Sequence, residues 1–143
     1  MNDRDSGSGS GSPNTADGFK TFLLVDDEQA ILDWMSLLLE AQGNRVFAVA
    51  SVVAAVQVME QKSDEIDFLI IDHSMPETNG LQLMNQFRSI GLVHPTILCS
   101  GLTMDIREHP DAQYWPEHVL AKPYDFRRLQ DAISFVMETR DCA

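Results

Sequence analysis

Several polar residues in this sequence follow short apolar runs, each at the point where a run ends. Asp26 and Asp27 follow "TFLLV", Asp72 follows "FLII", Ser100 follows "TILC" and Lys122 follows "HVLA". A carboxylate at the end of a hydrophobic strand is costly to bury unless another group compensates its charge. These positions are therefore candidates for a shared chemical role.

The types of these residues suit one kind of chemistry. Converging carboxylates repel one another and acquire raised pKa values unless a cation lies among them. A site made of oxygen ligands, with few protein groups, favours Mg²⁺, which keeps several waters and commonly accompanies phosphate. A lysine and a serine can donate to phosphoryl oxygens, and an aspartate can act as a nucleophile that forms an aspartyl phosphate. The set predicts Mg²⁺-dependent phosphoryl transfer.

Each residue also has an ordinary structural interpretation. Asp26 and Asp27 alone are typical of a helix N-cap, and Asp72 alone could cap the turn that follows it. Ser100 alone is a common loop residue, and Lys122 is a strand end before a proline. These interpretations require four chemically matched groups to reach one edge of a sheet by coincidence, so the joint pattern favours the functional hypothesis.

The elements that would position these residues alternate along the chain. Apolar, β-rich runs are followed by segments with helical periodicity, and such a pattern is typical of a parallel sheet covered on both faces. We expect a doubly wound, five-stranded α/β fold in three layers, where ligands bind beyond the carboxyl ends of the strands. Strands are predicted over 21–26, 45–50, 67–72, 95–100 and 118–122, and helices over about 28–42, after Ser51, around 83–90 and from about 125.

Two segments depart from this alternation. Residues 1–18 carry a Gly-Ser repeat and almost no large apolar groups, which predicts a flexible tail before a domain over 19–143. Pro110 and Pro116 interrupt the segment 102–117, where we expect a short helix at most. No further domain is expected after Arg140.

Four motifs resemble those of the receiver domain of two-component response regulators. They are "LLVDDE" (23–28), "IIDHSMPETNG" (70–80), "ILCSG" (97–101) and "LAKPY" (120–124), in the family's order and at near-standard spacings. The resemblance covers about 21–139. It implies a flavodoxin-like receiver fold with the strand order 2-1-3-4-5 and a switch controlled by phosphorylation.

The resemblance also implies roles for individual residues. Asp72 matches the phosphoacceptor and also a Mg²⁺ ligand, Asp27 a direct Mg²⁺ ligand, and Asp26 an acid that acts mainly through water. The backbone carbonyl of Ser74 matches the third protein ligand of the metal.

On the other side of the site, Lys122 and Ser100 match the residues that sense the phosphoryl group, and the bond before Pro123 is expected to be cis. Val119 occupies the place of the family's aromatic switch residue. Because valine cannot make the same exposed-to-buried movement, the usual output surface is in doubt.

The function implied is that of a phosphoacceptor in a phosphorelay. A histidine kinase or a histidine phosphotransfer protein would supply the phosphoryl group, and the domain would signal through protein contacts; it would catalyse only its own phosphorylation and dephosphorylation. In the helix that such partners meet, Trp34 is either an exposed contact or a packing residue. Val119 and the irregular 102–117 segment favour an alternative, a binding module independent of phosphorylation. A Mg²⁺-dependent phosphatase fits less well, because Ser74 stands where a general acid is expected.

Charge and composition limit the other partners. The formal net charge is −12, with 22 acidic against 10 basic residues, which disfavours direct binding to nucleic acid or to an anionic membrane. No apolar run has the length of a membrane span. Cys99 and Cys142 have no companion at metal-ligand spacing. We therefore expect a cytoplasmic protein without membrane insertion.

Overall fold

The computed structural model describes residues 19–101 and 114–142. The predicted tail over 1–18 lies outside these residues, as does most of the irregular segment over 102–117. The described chain contains five strands, four α-helices and one short 3₁₀ turn over Ser63–Glu65.

The strands form one parallel sheet in the order β2-β1-β3-β4-β5, as predicted. In this sheet Asp72 lies opposite Cys99, and Ser100 lies opposite Ala121. The carboxyl ends of the three neighbouring strands β3, β4 and β5 are therefore level at one edge. The strands are β1 (Thr21–Val25), β2 (Arg45–Val49), β3 (Phe68–Asp72), β4 (Thr96–Ser100) and β5 (His118–Ala121).

The helices cover both faces of the sheet and complete the three layers. The first and last helices pack on one face around one buried cluster, and the second and third pack on the other around a second cluster. The central strands β1, β3 and β4 are fully buried, which explains their continuous apolar runs. The helices are α1 (Gln29–Ala41), α2 (Val52–Lys62), α3 (Gly80–Ser89) and α4 (Phe126–Cys142).

The ends of α1 and α2 follow from local sequence. The Ser51 side chain accepts a hydrogen bond from the Ala54 amide at 3.2 Å, which confirms the predicted N-cap of α2. Helix α1 stops before Gly43, whose φ of 95° lies in the left-handed region.

The start of α3 differs from the sequence prediction. The sequence predicts the helix around 83–90, whereas Asn79 is the N-cap of α3 and Gly80 its first residue. The Asn79 side chain accepts from the Gln82 amide at 2.7 Å, and the Gln82 side chain accepts from the Asn79 amide at 3.4 Å. This reciprocal capping box starts the helix as soon as the turn ends. At the other end, Ile90 was assigned to the helix but is its exposed C-cap residue.

Side chains of α3 hold the chain that leads into β5. Asn85 accepts from the Tyr114 amide at 2.7 Å and donates to the Tyr114 carbonyl at 3.3 Å. Arg88 donates to the Glu117 carboxylate at 2.6 Å and to the carbonyl of Trp115 at 2.9 Å. We call these four residues of α3 and of the segment before β5, Asn85, Arg88, Tyr114 and Glu117, the β5 clamp.

Candidate functional site

Three carboxylates meet at the carboxyl edge of the sheet. Asp26 and Asp27 follow β1, and Asp72 is the last residue of β3. One carboxylate oxygen from each lies within 4.8 Å of the other two. Asp26 and Asp72 are buried, with 2% and 3% of their surfaces exposed, whereas Asp27 is exposed. The cluster therefore opens to solvent on the side of Asp27.

Lys122 completes the cluster from the end of β5. Its Nζ donates to Asp72 Oδ1 at 2.6 Å, and its backbone amide donates to the Ser100 carbonyl at 2.9 Å. Burial alone would lower the pKa of Lys122, but the hydrogen bond and the charge of Asp72, together with Asp26, raise it above its usual value. Lys122 thus stays charged beside the candidate nucleophile.

The pKa of Asp26 reflects its burial among these charges. Burial first, and then the charge of Asp72, raise its pKa from 3.8 to about 6, against the opposing effects of the Glu28 backbone amide and Lys122. The Glu28 amide donates to Asp26 Oδ1 at 2.9 Å. An acid held partly protonated near neutral pH is one that an added positive charge would ionise.

These observations fit a divalent cation. Asp26, Asp27 and Asp72 offer three oxygen donors at one opening, which suits a hard ion such as Mg²⁺, and their repulsion is what such an ion would relieve. Ser74, the expected third ligand through its carbonyl, lies in the exposed loop two residues after Asp72. Its role as a ligand stays a prediction.

Three further site residues are placed by the structure. Ser100 is buried at the end of β4, next to the β3 strand that carries Asp72. The Lys122–Pro123 peptide bond is cis, the geometry that the resemblance implies. Val119 lies on the edge strand β5 and is 38% exposed. The roles of Ser100 and Val119 in signalling stay predictions.

An apolar cavity next to Lys122 was not foreseen as a feature of the site. It has a volume of about 410 Å³ and lies between α1 and the loop that follows β5. Trp34 is half-buried at its wall, with its ring 6.1 Å from that of Tyr124 and 6.2 Å from that of Phe126. Trp34 therefore packs and also lines an open cavity. The lining residues are Glu28, Ile31, Trp34, Lys122, Pro123 and Tyr124.

Behind this cavity, Tyr124 and Cys99 form a buried polar pair. The Tyr124 hydroxyl makes no hydrogen bond of good geometry among the described residues, although the Cys99 thiol is its neighbour. Burial raises the pKa of Cys99 to about 12 and raises the pKa of Tyr124 as well. Both groups are neutral at physiological pH, so neither is an activated nucleophile.

Comparison with known proteins identifies the family. The family model for the response regulator receiver domain matches residues 22–134. The chain belongs to the response regulator receiver family. Receiver domains of this family are signalling domains of two-component systems, which interact with histidine kinases.

The relatives are mostly larger proteins. Over 130 residues the chain is 32% identical to the sensor kinase CckA of Brucella abortus. The matched region covers 87% of this chain and 13% of the kinase. The chain spans less than half the length of the curated relatives considered, CckA, ARR21 of Arabidopsis thaliana and SaeR of Staphylococcus aureus.

Solved structures share the fold. A receiver domain protein from Clostridium thermocellum superimposes with a TM-score of 0.75 at 23% identity, covering 87% of this chain and 98% of that one. TrrA from Thermotoga maritima, solved in complex with Mg²⁺ and BeF, gives a TM-score of 0.70 at 19% identity, covering 82% and 99%. In the described part of this chain, none of the helices combines the length and apolar character of a membrane span.

Proposed function

We propose that this receiver domain accepts a phosphoryl group on Asp72, with Mg²⁺ bound by Asp27, Asp72 and the Ser74 carbonyl and with Asp26 acting mainly through water. The observation that carries the proposal is the 2.6 Å contact between Lys122 Nζ and Asp72 Oδ1 inside the acidic cluster. A structural ion pair alone would need neither the two further acids nor their opening to solvent.

The proposed reaction is a direct displacement at phosphorus. An Asp72 carboxylate oxygen forms a bond to the phosphorus, while the bond from phosphorus to the donor breaks and its electron pair leaves with the donor. Mg²⁺, when bound, would supply positive charge for the carboxylates and the phosphoryl oxygens. Lys122 would exchange its contact with Asp72 for one with a phosphoryl oxygen, and the proposal requires no general base, since a carboxylate oxygen attacks phosphorus without losing a proton.

We propose that the donor is a histidine kinase or a histidine phosphotransfer protein, in keeping with the family. Asp72 is buried, so a donor must approach through the opening beside exposed Asp27. Ser100, buried on the neighbouring strand, would then donate its hydroxyl to the new phosphoryl group. These contacts couple phosphorylation to the surface of β4 and β5.

The test is phosphorylation by a small donor. Incubation with acetyl phosphate and Mg²⁺ should give an acyl phosphate that hydroxylamine removes, detected by intact-protein mass spectrometry. Asp72→Asn removes the nucleophile at nearly constant size and should abolish labelling. Asp64→Asn, the same change at an exposed acid of the 3₁₀ turn, should label like the parent.

Two outcomes would contradict the proposal. A folded Asp72→Asn variant that still gains a hydroxylamine-sensitive phosphate would place the acceptor elsewhere. A parent protein that gains no phosphate from small donors or from histidine kinases would favour the binding module independent of phosphorylation, for which the exposed Val119 is the relevant feature.

A further inference from the structure

Gly80, the first residue of α3, lies against the backbone of Asp72. A Cβ at position 80 would meet the Asp72 carbonyl oxygen at 2.5 Å, the Asp72 carbonyl carbon at 3.0 Å and Leu98 Cδ1 at 2.8 Å. Two of these three atoms are backbone atoms of the residue that we propose as the phosphoacceptor. The absence of a side chain at this position lets α3 begin directly against the end of β3.

The reason for glycine here is space and not backbone conformation. Among the described glycines, positive φ values occur at Gly43 and Gly91, at 95° and 91°. Gly80 instead has an ordinary helical setting after its cap, where alanine is intrinsically the better helix former. A side chain at position 80 would therefore be disfavoured by its contacts with the Asp72 backbone and Leu98, and not by backbone conformation.

Both partners in this contact are held from other sides. On the strand side, the His73 amide donates to the Cys99 carbonyl at 2.9 Å, which continues the β3–β4 ladder past Asp72. On the helix side, the Gly80 amide donates to the His73 carbonyl at 2.9 Å, and Leu81 is fully buried. Neither the strand nor the helix can move without breaking packed contacts.

A methyl group at position 80 would have to widen this contact by at least about half an ångström. Reactive groups lose function when displaced by about that distance from productive geometry. If β3 moves, the Asp72 carboxylate shifts relative to Lys122 Nζ. If α3 moves instead, the loop over 73–79 follows, and with it the Ser74 carbonyl.

We propose that Gly80 is a positioning residue for the phosphoacceptor: it seats α3 against the Asp72 backbone and so fixes Asp72 and the metal-binding loop relative to each other. The inference rests on the function proposed above for Asp72. It assigns to the Asn-Gly pair a role in the site in addition to its role in starting the helix.

The test compares two glycine substitutions at opposite ends of α3. Gly80→Ala should slow acetyl phosphate labelling at saturating Mg²⁺ by at least about tenfold, since a displacement approaching 1 Å can cost about a hundredfold. It should also weaken Mg²⁺ affinity measured by calorimetry without any phosphodonor. Gly91→Ala is strained by its positive φ but has no atom within 4 Å of its Cβ, so it should lower the melting temperature while leaving rate and affinity at parent values.

A second variant covers the case in which Gly80→Ala does not fold. Adding Leu98→Val removes the Cδ1 contact but retains the clash with the Asp72 carbonyl, and Leu98→Val alone is its control. We expect the double variant to be labelled more slowly and to bind Mg²⁺ more weakly than that control.

The outcomes separate the two proposals. Suppose that the parent is labelled and that the Gly80→Ala variant folds. If this variant matches the parent in both labelling rate and Mg²⁺ affinity, Gly80 has no positioning role. The same conclusion follows if the double variant matches Leu98→Val in both quantities. If the parent is not labelled at all, the proposed function fails, and the Mg²⁺ titrations alone still decide whether Gly80 organises the acidic site.

Discussion

Among the individual residues, Asp26 connects the acidic site to the stability of the domain. It is buried, and its pKa is raised from 3.8 to about 6 by burial first and by the charge of Asp72 second. The folded protein therefore binds a proton at this residue more tightly than the unfolded chain does. Folding stability due to Asp26 is greatest below pH 4 and is lost as the pH rises towards and through about 6.

We predict that Asp26→Asn removes this pH dependence. A shift of this size corresponds to about 3 kcal/mol between the two protonation states, so without metal the variant should become more stable than the parent above pH 6. The asparagine oxygen can still accept the hydrogen bond from the Glu28 amide. The measurement is the free energy of unfolding by denaturant from pH 4 to pH 8 in the presence of a chelator.

Asp64→Asn serves as the control for a change of one exposed charge and should keep the pH profile of the parent. If Asp26→Asn and the parent lose stability in parallel over this range, Asp26 is not the group that titrates. Adding Mg²⁺ should narrow the difference between them, since the ion favours the ionised acid.

The site residues themselves were accessible from sequence because each ends an apolar run. A parallel sheet brings such ends to one edge, so the sequence alone groups Asp26, Asp27, Asp72 and Lys122. The contact of Gly80 with the Asp72 carbonyl could not be predicted in this way, because it depends on the position of a Cβ at residue 80, which would lie 2.5 Å from the Asp72 carbonyl oxygen. The sequence shows the Asn79-Gly80 pair but not its distance from Asp72.

Among the secondary-structure elements, α3 does more than cover the sheet. Its first residue meets Asp72, and its later turns carry Asn85 and Arg88 of the β5 clamp. The Arg88–Glu117 ion pair is mostly buried, with 11% and 26% of the two side chains exposed. Glu117 also accepts from the Thr96 amide at 2.8 Å, which joins β4 to the clamp.

We predict that Arg88→Ala destabilises the protein by about 3 kcal/mol, because it leaves a largely buried carboxylate without its partner. Arg45→Ala is the matched control, since Arg45 pairs with Glu65 at 2.9 Å but both side chains are about half exposed. That change should cost less than about 1 kcal/mol. Urea unfolding of the two variants gives the comparison, and equal losses would show that the clamp contributes no more than a surface ion pair.

At this scale the sequence predicted the strands to within a residue or two and the number of helices in the described chain. It placed the start of α3 too late, since Asn-Gly serves equally well in a turn and as a cap followed by the first helical residue; Gln82 decides between them. The clamp joins residues 29 positions apart, such as Asn85 and Tyr114. No local pattern reports a pairing over that separation.

For the whole molecule, the hydrophobic core shows which part of the chain the fold requires. Every buried apolar side chain of the described residues lies between Phe22 and Val136, in the two clusters on either face of the sheet. The family match over residues 22–134 has nearly the same limits. Residues 1–18 contribute almost no large apolar groups that could enlarge either cluster.

We therefore predict that removing residues 1–18 leaves the melting temperature, the Mg²⁺ affinity and acetyl phosphate labelling unchanged. Circular dichroism, calorimetry and mass spectrometry on the shortened and full chains test this. A lower melting temperature for the shortened chain would show that the first eighteen residues pack on the domain. Removal of residues 1–22 is the positive control, because it deletes the first two residues of β1, Thr21 and Phe22, and Phe22 belongs to the core.

The β5 clamp bears on the chain connection that joins β4 to β5. Strand β5 takes its position from side chains of α3 and from β4, through contacts that grip residues 114 and 117 directly. Its placement therefore does not require a peptide connection of one particular length or composition between Gly101 and Tyr114. We therefore expect a foreign domain inserted at this junction, or new chain ends placed there, to leave the lysine that faces Asp72 in position.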